Sequence, residues 1–447
     1  MKTSRLYLAW AAALALSAAR LQGGIIFQEA FPTDTANTAE TVATYTDFTY
    51  AGGGNAYVSG GVLHFSGKWA NDLRTTTGFP GDLLIQLEVG KDPGGGHANV
   101  GLRVGGNRLV FHPGFNRVPG AFRVEGPGGF GNTNMGFVPA PGLLHPMDVA
   151  VNAATGEFTI AVTNASNPSQ VFAKRFTNLG YSPGADTIGP TRYTGGANEV
   201  GLYDNLVISE LRPAMPDTPW AAAIRASDPL HWYRLNETNS AIAVDYGRAG
   251  LNGVYRNGTL LGQAGIPAEG DLAARFDGAD DEVWLGAADL SGPWSAEFVV
   301  LHQGVEDAGS LLRSGAGALR LDQWRNTGAV GFTRFGVADY RLTPDVIAPL
   351  GKWSHLAYVA DPASGISVYL NGLLAGINPN YIPLPRTVIG GWDTANMLLD
   401  EVVLYDRALS PNEVLGHAAG VGIPEPATFA LLGFGLFALR GRRVARR

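Results

Sequence analysis

Cysteine is absent from this chain of 447 residues. Disulfide bonds, thiolate nucleophiles and cysteine-ligated zinc sites are therefore excluded. Long helical stretches are scarce too, while glycine (61 residues) and proline (27 residues) are abundant and favour turns. The sequence thus predicts an all-β protein, long enough for two or three domains with their own cores.

Several common catalytic motifs are missing or incomplete. The stretch GYSPG (180–184) matches the hydrolase pattern Gly-x-Ser-x-Gly. However, Pro183 follows the serine and has no N–H to donate to an oxyanion. GPGGFG (126–131) precedes no helix that could bind a phosphate, and the eight histidines form no His-Glu-x-x-His zinc motif. These absences argue against an enzyme.

Positive charge is scarce outside the two ends of the chain. The formal net charge is −7, but residues 20–426 contain 25 basic and 39 acidic residues, a net charge of −14. An acidic body repels phosphate backbones, so nucleic acid is not an expected partner.

The first 22 residues have the layout of a secretory signal peptide. Lys2 and Arg5 precede a short apolar stretch, and Ser17 and Ala19 are small residues suited to cleavage. The apolar stretch falls short of the roughly 20 residues that a membrane-spanning helix needs. Export and removal of residues 1–22 by signal peptidase are expected.

The C-terminal segment (423–447) has three parts in a fixed order. Pro424, Glu425 and Pro426 come first, then an apolar stretch (427–439), then five arginines. By the positive-inside rule the arginines stay cytoplasmic, which predicts a transient association with the inner membrane. The order resembles the PEP-CTERM sorting signal of Gram-negative bacteria. That resemblance implies recognition of Pro424, Glu425 and Pro426 by an exosortase and delivery to the cell surface, outer envelope or extracellular matrix. A retained membrane anchor is the alternative.

The body of the chain divides at a proline-rich stretch, RPAMPDTP (212–219). Short runs with alternating apolar residues lie on both sides, which predicts a first β-sandwich (25–212), a linker (213–219) and a second domain (220–418). The segments HPMDVAVNAATGEFTIAV (145–162) and WSHLAYVADPASGISVYL (353–370) share the pattern strand, turn, strand. This similarity favours two copies of one β architecture.

The second domain resembles a bacterial laminin-G-like, concanavalin A-like jelly roll. The resemblance is carried by DPLHWYRLNE (228–237), ARFDGADDEVWLG (274–286), KWSHLAYVADPASGISVYLNGLLAG (352–376) and LDEVVLYDRALSPNEV (399–414). It implies a sandwich of two antiparallel sheets in the second domain. If the first domain has the same fold, the chain is a tandem of two such jelly rolls. In such a sandwich we expect Trp353, Leu356, Tyr358, Val368 and Leu370 to be buried. The family commonly binds glycans or proteins.

Some relatives of this fold are glycosidases that need acids at alternate positions of one strand. No Glu-x-Asp-x-Glu triplet occurs here. The nearest candidates are Asp280 with Glu282 and the pair Asp400-Glu401, for which solvation at turns and strand edges, together with capping of backbone groups, is the favoured interpretation. No catalytic residue is therefore assigned.

Ligand sites are less well defined by the sequence. Asp245, Asp277, Asp280 and Asp281 are candidates for a structural calcium ion, although their spacing fits no ligand pattern and turn formation is favoured. Trp284, Trp324 and Trp392 could stack on sugar rings. Most are expected in the core, whereas Trp392, in the loop GGWDTAN, is the preferred exposed candidate for ligand binding.

Together these features predict an exported, non-enzymatic binding or matrix protein that recognises a polysaccharide or an envelope component. A divergent polysaccharide-active hydrolase and a purely structural surface spacer are the alternatives.

Overall fold

A computed structural model describes residues 24–35, 45, 47–94, 97–113, 118–127, 129–193, 199–267, 270 and 272–423. The predicted signal peptide and the residues Pro424, Glu425 and Pro426, with the apolar stretch behind them, lie outside the described residues. Within the described ranges, no helix has the length and apolar character needed to cross a membrane.

The described residues before Arg212 form one antiparallel sheet of 13 strands. The strands are β1 (Ile25–Glu29), β2 (Phe48–Ser59), β3 (Val62–Thr75), β4 (Leu83–Lys91), β5 (Asn99–Val104), β6 (Asn107–Phe111), β7 (Ala121–Glu125), β8 (Phe130–Asn134), β9 (Leu144–Asn152), β10 (Glu157–Thr163), β11 (Val171–Phe176), β12 (Ile188–Tyr193) and β13 (Gly201–Glu210). Their order is β11-β10-β9-β4-β13-β3-β12-β5-β6-β7-β8, with β1 added to β13 and β2 to β3.

The long strand β3 joins the two wings of this sheet. Its first part pairs with β13 through Phe65 and Gly201, and its second part pairs with β12 through Asp72 and Thr191. The wings fold over a common core, because the rings of Phe122 on β7 and Phe172 on β11 stack with centroids 5.0 Å apart. The sheet is therefore closed on itself like a sandwich.

The described residues after Arg212 form two antiparallel sheets of eight strands each. One has the order β17-β18-β29-β20-β25-β26-β27, with β14 added to β29, and the other runs β15-β16-β19-β28-β21-β22-β23-β24. The strands are β14 (His231–Tyr233), β15 (Ile242–Ala243), β16 (Gly253–Arg256), β17 (Leu260–Ala264), β18 (Leu272–Asp277), β19 (Glu282–Trp284), β20 (Trp294–Gly304), β21 (Ser310–Arg313), β22 (Gly317–Arg320), β23 (Gly331–Arg334), β24 (Ala338–Arg341), β25 (Trp353–Asp361), β26 (Gly365–Leu370), β27 (Leu373–Asn378), β28 (Val388–Gly390) and β29 (Asn396–Tyr405). The fold class is therefore all-β, as predicted, and the pair of sheets fits the laminin-G-like sandwich.

Two short helices cover the outer face of the first of these sheets. In α1 (Pro219–Ala226), the hydroxyl of Thr218 accepts a hydrogen bond from the N–H of Ala221. In α2 (Pro411–Val421), Ser410 and Glu413 form a capping box. In both helices a proline stands in the first turn directly after the capping residue, which is typical of helix starts.

The two halves of the chain contact each other over an apolar cluster. Leu84, Ala150 and Ala161 of the 13-stranded sheet pack against Ile242 and Val254 of the second half. Polar contacts surround this cluster: Asp148 accepts a hydrogen bond from the N–H of Ala241 (2.7 Å). The arrangement places β11 of the first half beside β16 of the second half.

The structure corrects two side-chain predictions. Leu356, Tyr358 and Val368 lie in the main core, with Leu370 packed against it, but Trp353 does not face it. Trp353 stands an odd number of positions from Leu356 on the same strand, so it points to the other face and packs among the residues beneath the helices.

Asp400 and Glu401 are buried, so the predicted solvation at a strand edge is wrong, although Asp400 does bind a backbone group as predicted. Asp400 accepts a hydrogen bond from the N–H of Ile266 (2.6 Å), and Glu401 accepts one from Arg234 Nε (3.0 Å). Burial is possible because each carboxylate has such partners. Both acids stabilise the fold of the second half.

Candidate functional site

Four neighbouring strands, β16, β19, β28 and β21, define a surface on the second half. Tyr255, Val283, Ile389 and Leu312 lie opposite one another across these strands and all belong to the core. Because side chains alternate along a strand, the residues beside them point outward. Each strand therefore contributes to one exposed surface.

The outward side chains line a cleft of about 650 Å³. It holds cationic, anionic, amide, hydroxyl and aromatic groups within one space. The lining residues are Arg256, Asn257, Asp280, Glu282, Trp284, Arg313, Ser314, Gly315, Thr387, Val388 and Trp392. We call this space the Trp392 cleft.

Trp392 stands in the loop after β28, and its side chain is among the most exposed in the protein. It is 69% exposed, the largest value among the exposed large hydrophobic residues of the described ranges. Gly390, Gly391 and Asp393 around it have positive φ angles of 70°, 91° and 60°. A Cβ at Gly390 would lie 2.6 Å from the backbone oxygen of Asp281, so glycine is required at this position. The tight turn directs the indole into solvent.

Arg313 is held between two aromatic rings at one side of the cleft. Its guanidinium carbon lies 5.2 Å from the ring centroid of Trp392 and 5.2 Å from that of Phe335. Arg313 Nη1 also donates to the backbone oxygen of Trp392 (3.3 Å), while its Nε has no hydrogen-bond partner. The cation–π contacts fix the orientation of Trp392 without covering it.

Trp284 lines the cleft from β19, the strand between β16 and β28. The guanidinium of Arg175, from β11 of the first half, lies 5.2 Å from its ring centroid. Arg175 is anchored by hydrogen bonds to the backbone oxygens of Leu285 (3.0 Å) and Asn252 (2.6 Å). The first half of the chain therefore positions one wall of the site.

Two carboxylates also line the cleft. Glu282 forms an ion pair with Arg256 (2.5 Å between Oε1 and Nη2), and the pKa of Glu282 is raised because burial outweighs the effect of Arg256. Asp280 lies two residues earlier in the preceding turn. The Asn257 amide donates to the backbone oxygen of Asp280 (2.9 Å), which holds this side of the cleft in place.

A second polar constellation lies beneath the helices and was not anticipated from the sequence. His417 Nε2 lies 2.8 Å from Ser227 Oγ, and His417 Nδ1 lies 2.9 Å from Glu297 Oε2. The geometry resembles a serine-hydrolase triad. However, the N–H of Ser227 is hydrogen-bonded to carbonyl groups at the C-terminus of α1, where the helix dipole disfavours negative charge. The array links the two helices to the sheet.

The four aspartates considered for calcium do not converge on one point. Asp245 is buried and binds the N–H groups of Trp232 (2.8 Å) and Gly247 (2.8 Å), and Asp281 accepts from the N–H of Asp277 (2.9 Å). No group of three metal-binding side chains is found among the residues that the structure describes.

The sequence anticipated Trp392 but not its surroundings. Strands that are far apart in the chain pair with one another, and this pairing places Arg313, Glu282 and Trp284 close to Trp392. The alternation Val283, Trp284, Leu285 could have shown that Trp284 points away from the core, since its neighbours are apolar and buried. Trp324 is 50% exposed, against the expectation that most of these tryptophans are buried, but it does not line the cleft.

Family models match two parts of the chain. Residues 276–415 match the concanavalin A-like lectin/glucanases superfamily, and residues 422–447 match the PEP-CTERM protein-sorting motif. The second half of the chain thus contains a laminin-G-like domain, and this domain includes most of the Trp392 cleft. The sorting motif implies export, processing by an exosortase, and a surface or extracellular location.

Several solved structures show distant similarity to the chain. Domain 4 of AbnA, a GH43 extracellular arabinanase from Geobacillus stearothermophilus, is 19% identical, covers 43% of this chain and 98% of its own, and has a TM-score of 0.35. A Trypanosoma rangeli sialidase is 12% identical, with 81% and 68% coverage and a TM-score of 0.35. A protein with a galectin-like fold from Bacillus subtilis is 12% identical, with 42% and 97% coverage and a TM-score of 0.30. TM-scores this low carry no functional argument. No curated protein matches the chain.

Proposed function

We propose that the protein is an exported, non-enzymatic glycan-binding protein, and that the Trp392 cleft holds the sugar. The observation that carries this proposal is the exposed indole of Trp392, oriented by Arg313 over a cleft that also contains Trp284. The apolar face of a sugar ring packs on such an indole, while hydroxyl groups need the mixed donors and acceptors around it.

The polar groups of the cleft suit a neutral or weakly polar sugar. Arg256 and Glu282 neutralise each other, so the cleft offers paired donors and acceptors and little excess charge. Ser314 Oγ donates to Asp289 (2.7 Å) and accepts from the N–H groups of Ala316 (3.1 Å) and Gly317 (3.3 Å), so it holds the turn at this edge of the cleft in place. Because the cleft is open to solvent, it can accommodate a sugar that is part of a longer polysaccharide.

A glycan array followed by calorimetric titration tests this proposal. We expect the purified chain to bind at least one polysaccharide, and Trp392→Ala to weaken that binding at least about tenfold, which corresponds to one stacking contact of about 1.4 kcal/mol. Trp324→Ala is the matched control, because it removes another half-exposed tryptophan outside the cleft. Equal effects of the two substitutions, or no binding to any polysaccharide, would contradict the proposal.

A hydrolase is the second candidate, and one observation favours it. Asp280 and Glu282 line the same cleft as Trp392, and Glu282 has a raised pKa, as a general acid requires. Release of reducing sugar from a bound polysaccharide, abolished by Glu282→Gln, would establish this activity. Binding without release would favour the non-enzymatic function.

A further inference from the structure

A second charged surface lies on the first half of the chain, on the outer face of the strands β3, β12, β5 and β6. Its centre is Asp72, whose side chain is almost completely buried. Three arginines from three strands converge on this one carboxylate, together with the hydroxyl of Thr191. We call this group, with Arg123 beside it, the arginine face.

The contacts at Asp72 are close and directional. Arg108 binds with two nitrogens, Nε to Oδ1 (3.2 Å) and Nη2 to Oδ2 (3.0 Å). Arg74 Nη2 and Arg103 Nη1 reach Oδ2 at 2.9 Å and 3.1 Å, and Thr191 Oγ1 donates to Oδ1 at 2.5 Å. Burial would raise the pKa of Asp72, but the hydrogen bonds from Arg108, Thr191 and Arg74 lower it overall, so the group is ionised.

The charges in this group do not balance. Three guanidinium groups share one carboxylate, and on the neighbouring strand Arg123 lies 3.6 Å from Glu125. Four cations therefore face two anions, in a chain whose body is otherwise strongly acidic. The Nε atoms of Arg74 and Arg103 are buried and have no hydrogen-bond partner. A purely structural network gains nothing from surplus cations held close together, since they repel one another.

Open space adjoins Arg123, one of the four cations. Arg123, Glu125 and Tyr193 line a cavity of about 750 Å³. Tyr193 follows Thr191 by two positions on β12, so both side chains lie on the same face of the sheet, and Tyr193 is 39% exposed. The Arg123 side chain is 47% exposed, and that of Arg74 is 34% exposed. A ligand can therefore reach Arg123 and Arg74.

We propose that the arginine face is a second binding site, for a polysaccharide that carries carboxylate groups, such as a chain of uronic acids. The spacing of the guanidinium groups suits a carboxylate, because these groups already bind the carboxylate of Asp72. The surplus positive charge is available to bind a carboxylate group of the ligand. Tyr193 offers a ring on which a sugar packs. This site is separate from the Trp392 cleft, and it lies in the half of the chain that the laminin-G-like match does not cover.

The test compares two polymers with one backbone. The full chain is titrated with polygalacturonate and with its methyl-esterified form, which lacks the charge. We expect binding to polygalacturonate only, weakened strongly when the ionic strength rises from about 0.05 M to about 0.5 M. Equal binding of the two polymers would overturn the proposal, as would binding to neither. Stronger binding to dextran sulfate would overturn the assignment to carboxylates.

Substitutions locate the site. Arg74→Gln and Arg108→Gln should each weaken binding to polygalacturonate at least about fivefold, the effect of one charged contact. Arg123→Gln should weaken binding to a similar extent. Because Arg123 does not contact Asp72, the Arg123→Gln variant reports on binding even if Arg108→Gln fails to fold. Arg225→Gln is the control: it removes the same charge from an arginine of similar exposure on α1. An effect of Arg225→Gln equal to that of Arg74→Gln would overturn the proposal.

The two proposed sites are distinguished in the same titrations. Trp392→Ala should leave binding to polygalacturonate within about twofold of that of the unsubstituted chain, while Arg74→Gln should leave binding of a neutral glycan unchanged. Loss of polygalacturonate binding in Trp392→Ala would place the acidic ligand in the Trp392 cleft instead.

Discussion

At the scale of single residues, the second half of the chain is notable for a carboxylate that is buried with two histidines. His417 Nδ1 lies 2.9 Å from Glu297 Oε2, and His355 Nε2 lies 3.2 Å from Glu297 Oε1, an ion-pair distance at an angle unfavourable for a hydrogen bond. Burial would raise the pKa of Glu297, but His355 and His417 reverse this and lower it to about 2. The carboxylate is therefore more stable as an anion in the folded protein than in the unfolded chain.

We predict that Glu297→Gln lowers the free energy of unfolding by about 3 kcal/mol at neutral pH, because the histidines lose their charged partner. The pKa in the folded state is below the ordinary value of 4.5. The stabilisation is therefore complete above pH 4.5 and is lost as the pH falls through about 2. Urea unfolding as a function of pH measures this.

The control is Glu210→Gln, an exposed glutamate at the end of β13. It should change the free energy of unfolding by less than about 0.5 kcal/mol. A Glu297→Gln protein that is as stable as this control at neutral pH would show that the buried cluster does not stabilise the fold.

Helix starts and tight turns have local signals in the sequence, because they depend on neighbouring residues. The pair Asn371-Gly372 is typical of a hairpin bend, and these residues have φ angles of 51° and 82° between β26 and β27. The pairing of β19 with β28 and of β28 with β21 was not predictable in this way. It joins residues 75 to 108 positions apart, and no local pattern specifies such partners. The Trp392 cleft depends on that pairing, which is why only Trp392 itself was anticipated.

The hairpin between β26 and β27 also contacts a helix, and this contact restricts its bend. A Cβ at Gly372 would lie 2.9 Å from Ala418 Cβ and 3.2 Å from the Cα of Leu415, both on α2. We predict that Gly372→Ala lowers the free energy of unfolding by about 2 kcal/mol, through backbone strain at positive φ and through this clash. Thermal or urea unfolding measures the loss.

Gly336→Ala separates the two causes. Gly336 also has a positive φ (73°), but a Cβ there would have no atom within 4 Å. This substitution should cost only about 1 kcal/mol, the cost of the strained backbone. Equal losses in the two variants would mean that α2 moves aside and does not restrict the hairpin.

At the scale of the whole molecule, the contact between the two halves includes a buried acid. Asp148 on β9 accepts hydrogen bonds from the N–H of Ala241 and from Gln86 Nε2 (3.0 Å). Burial dominates and raises the pKa of Asp148 to about 6, although both hydrogen bonds oppose it. The proline-rich stretch that was predicted as a linker therefore connects halves that share a packed, charged interface.

We predict that this interface weakens as the pH rises. Between about pH 4 and pH 6 the folded protein keeps a proton on Asp148 that the unfolded chain has released. Stability therefore falls as the pH rises through this range, by about 2 to 3 kcal/mol, and the loss is complete above pH 6. Asp148→Asn should reduce this dependence but not abolish it, because burial also raises the pKa of Asp204 and of Asp281 to about 6. Asp47→Asn, at an exposed position, should retain the full dependence. Urea unfolding at several pH values checks this, and identical profiles for the two variants would contradict it.

We propose that a glycan lies on the outward face of β19, β28 and β21, against Trp392. NMR can follow the indole N–H resonances of the nine tryptophans during titration with the glycan that the array identifies. We expect the signals of Trp392 and Trp284 to shift with the same saturation curve, while those of Trp324 and the buried Trp232 stay in place. Shifts confined to Trp324, or binding with no change at Trp392, would contradict it.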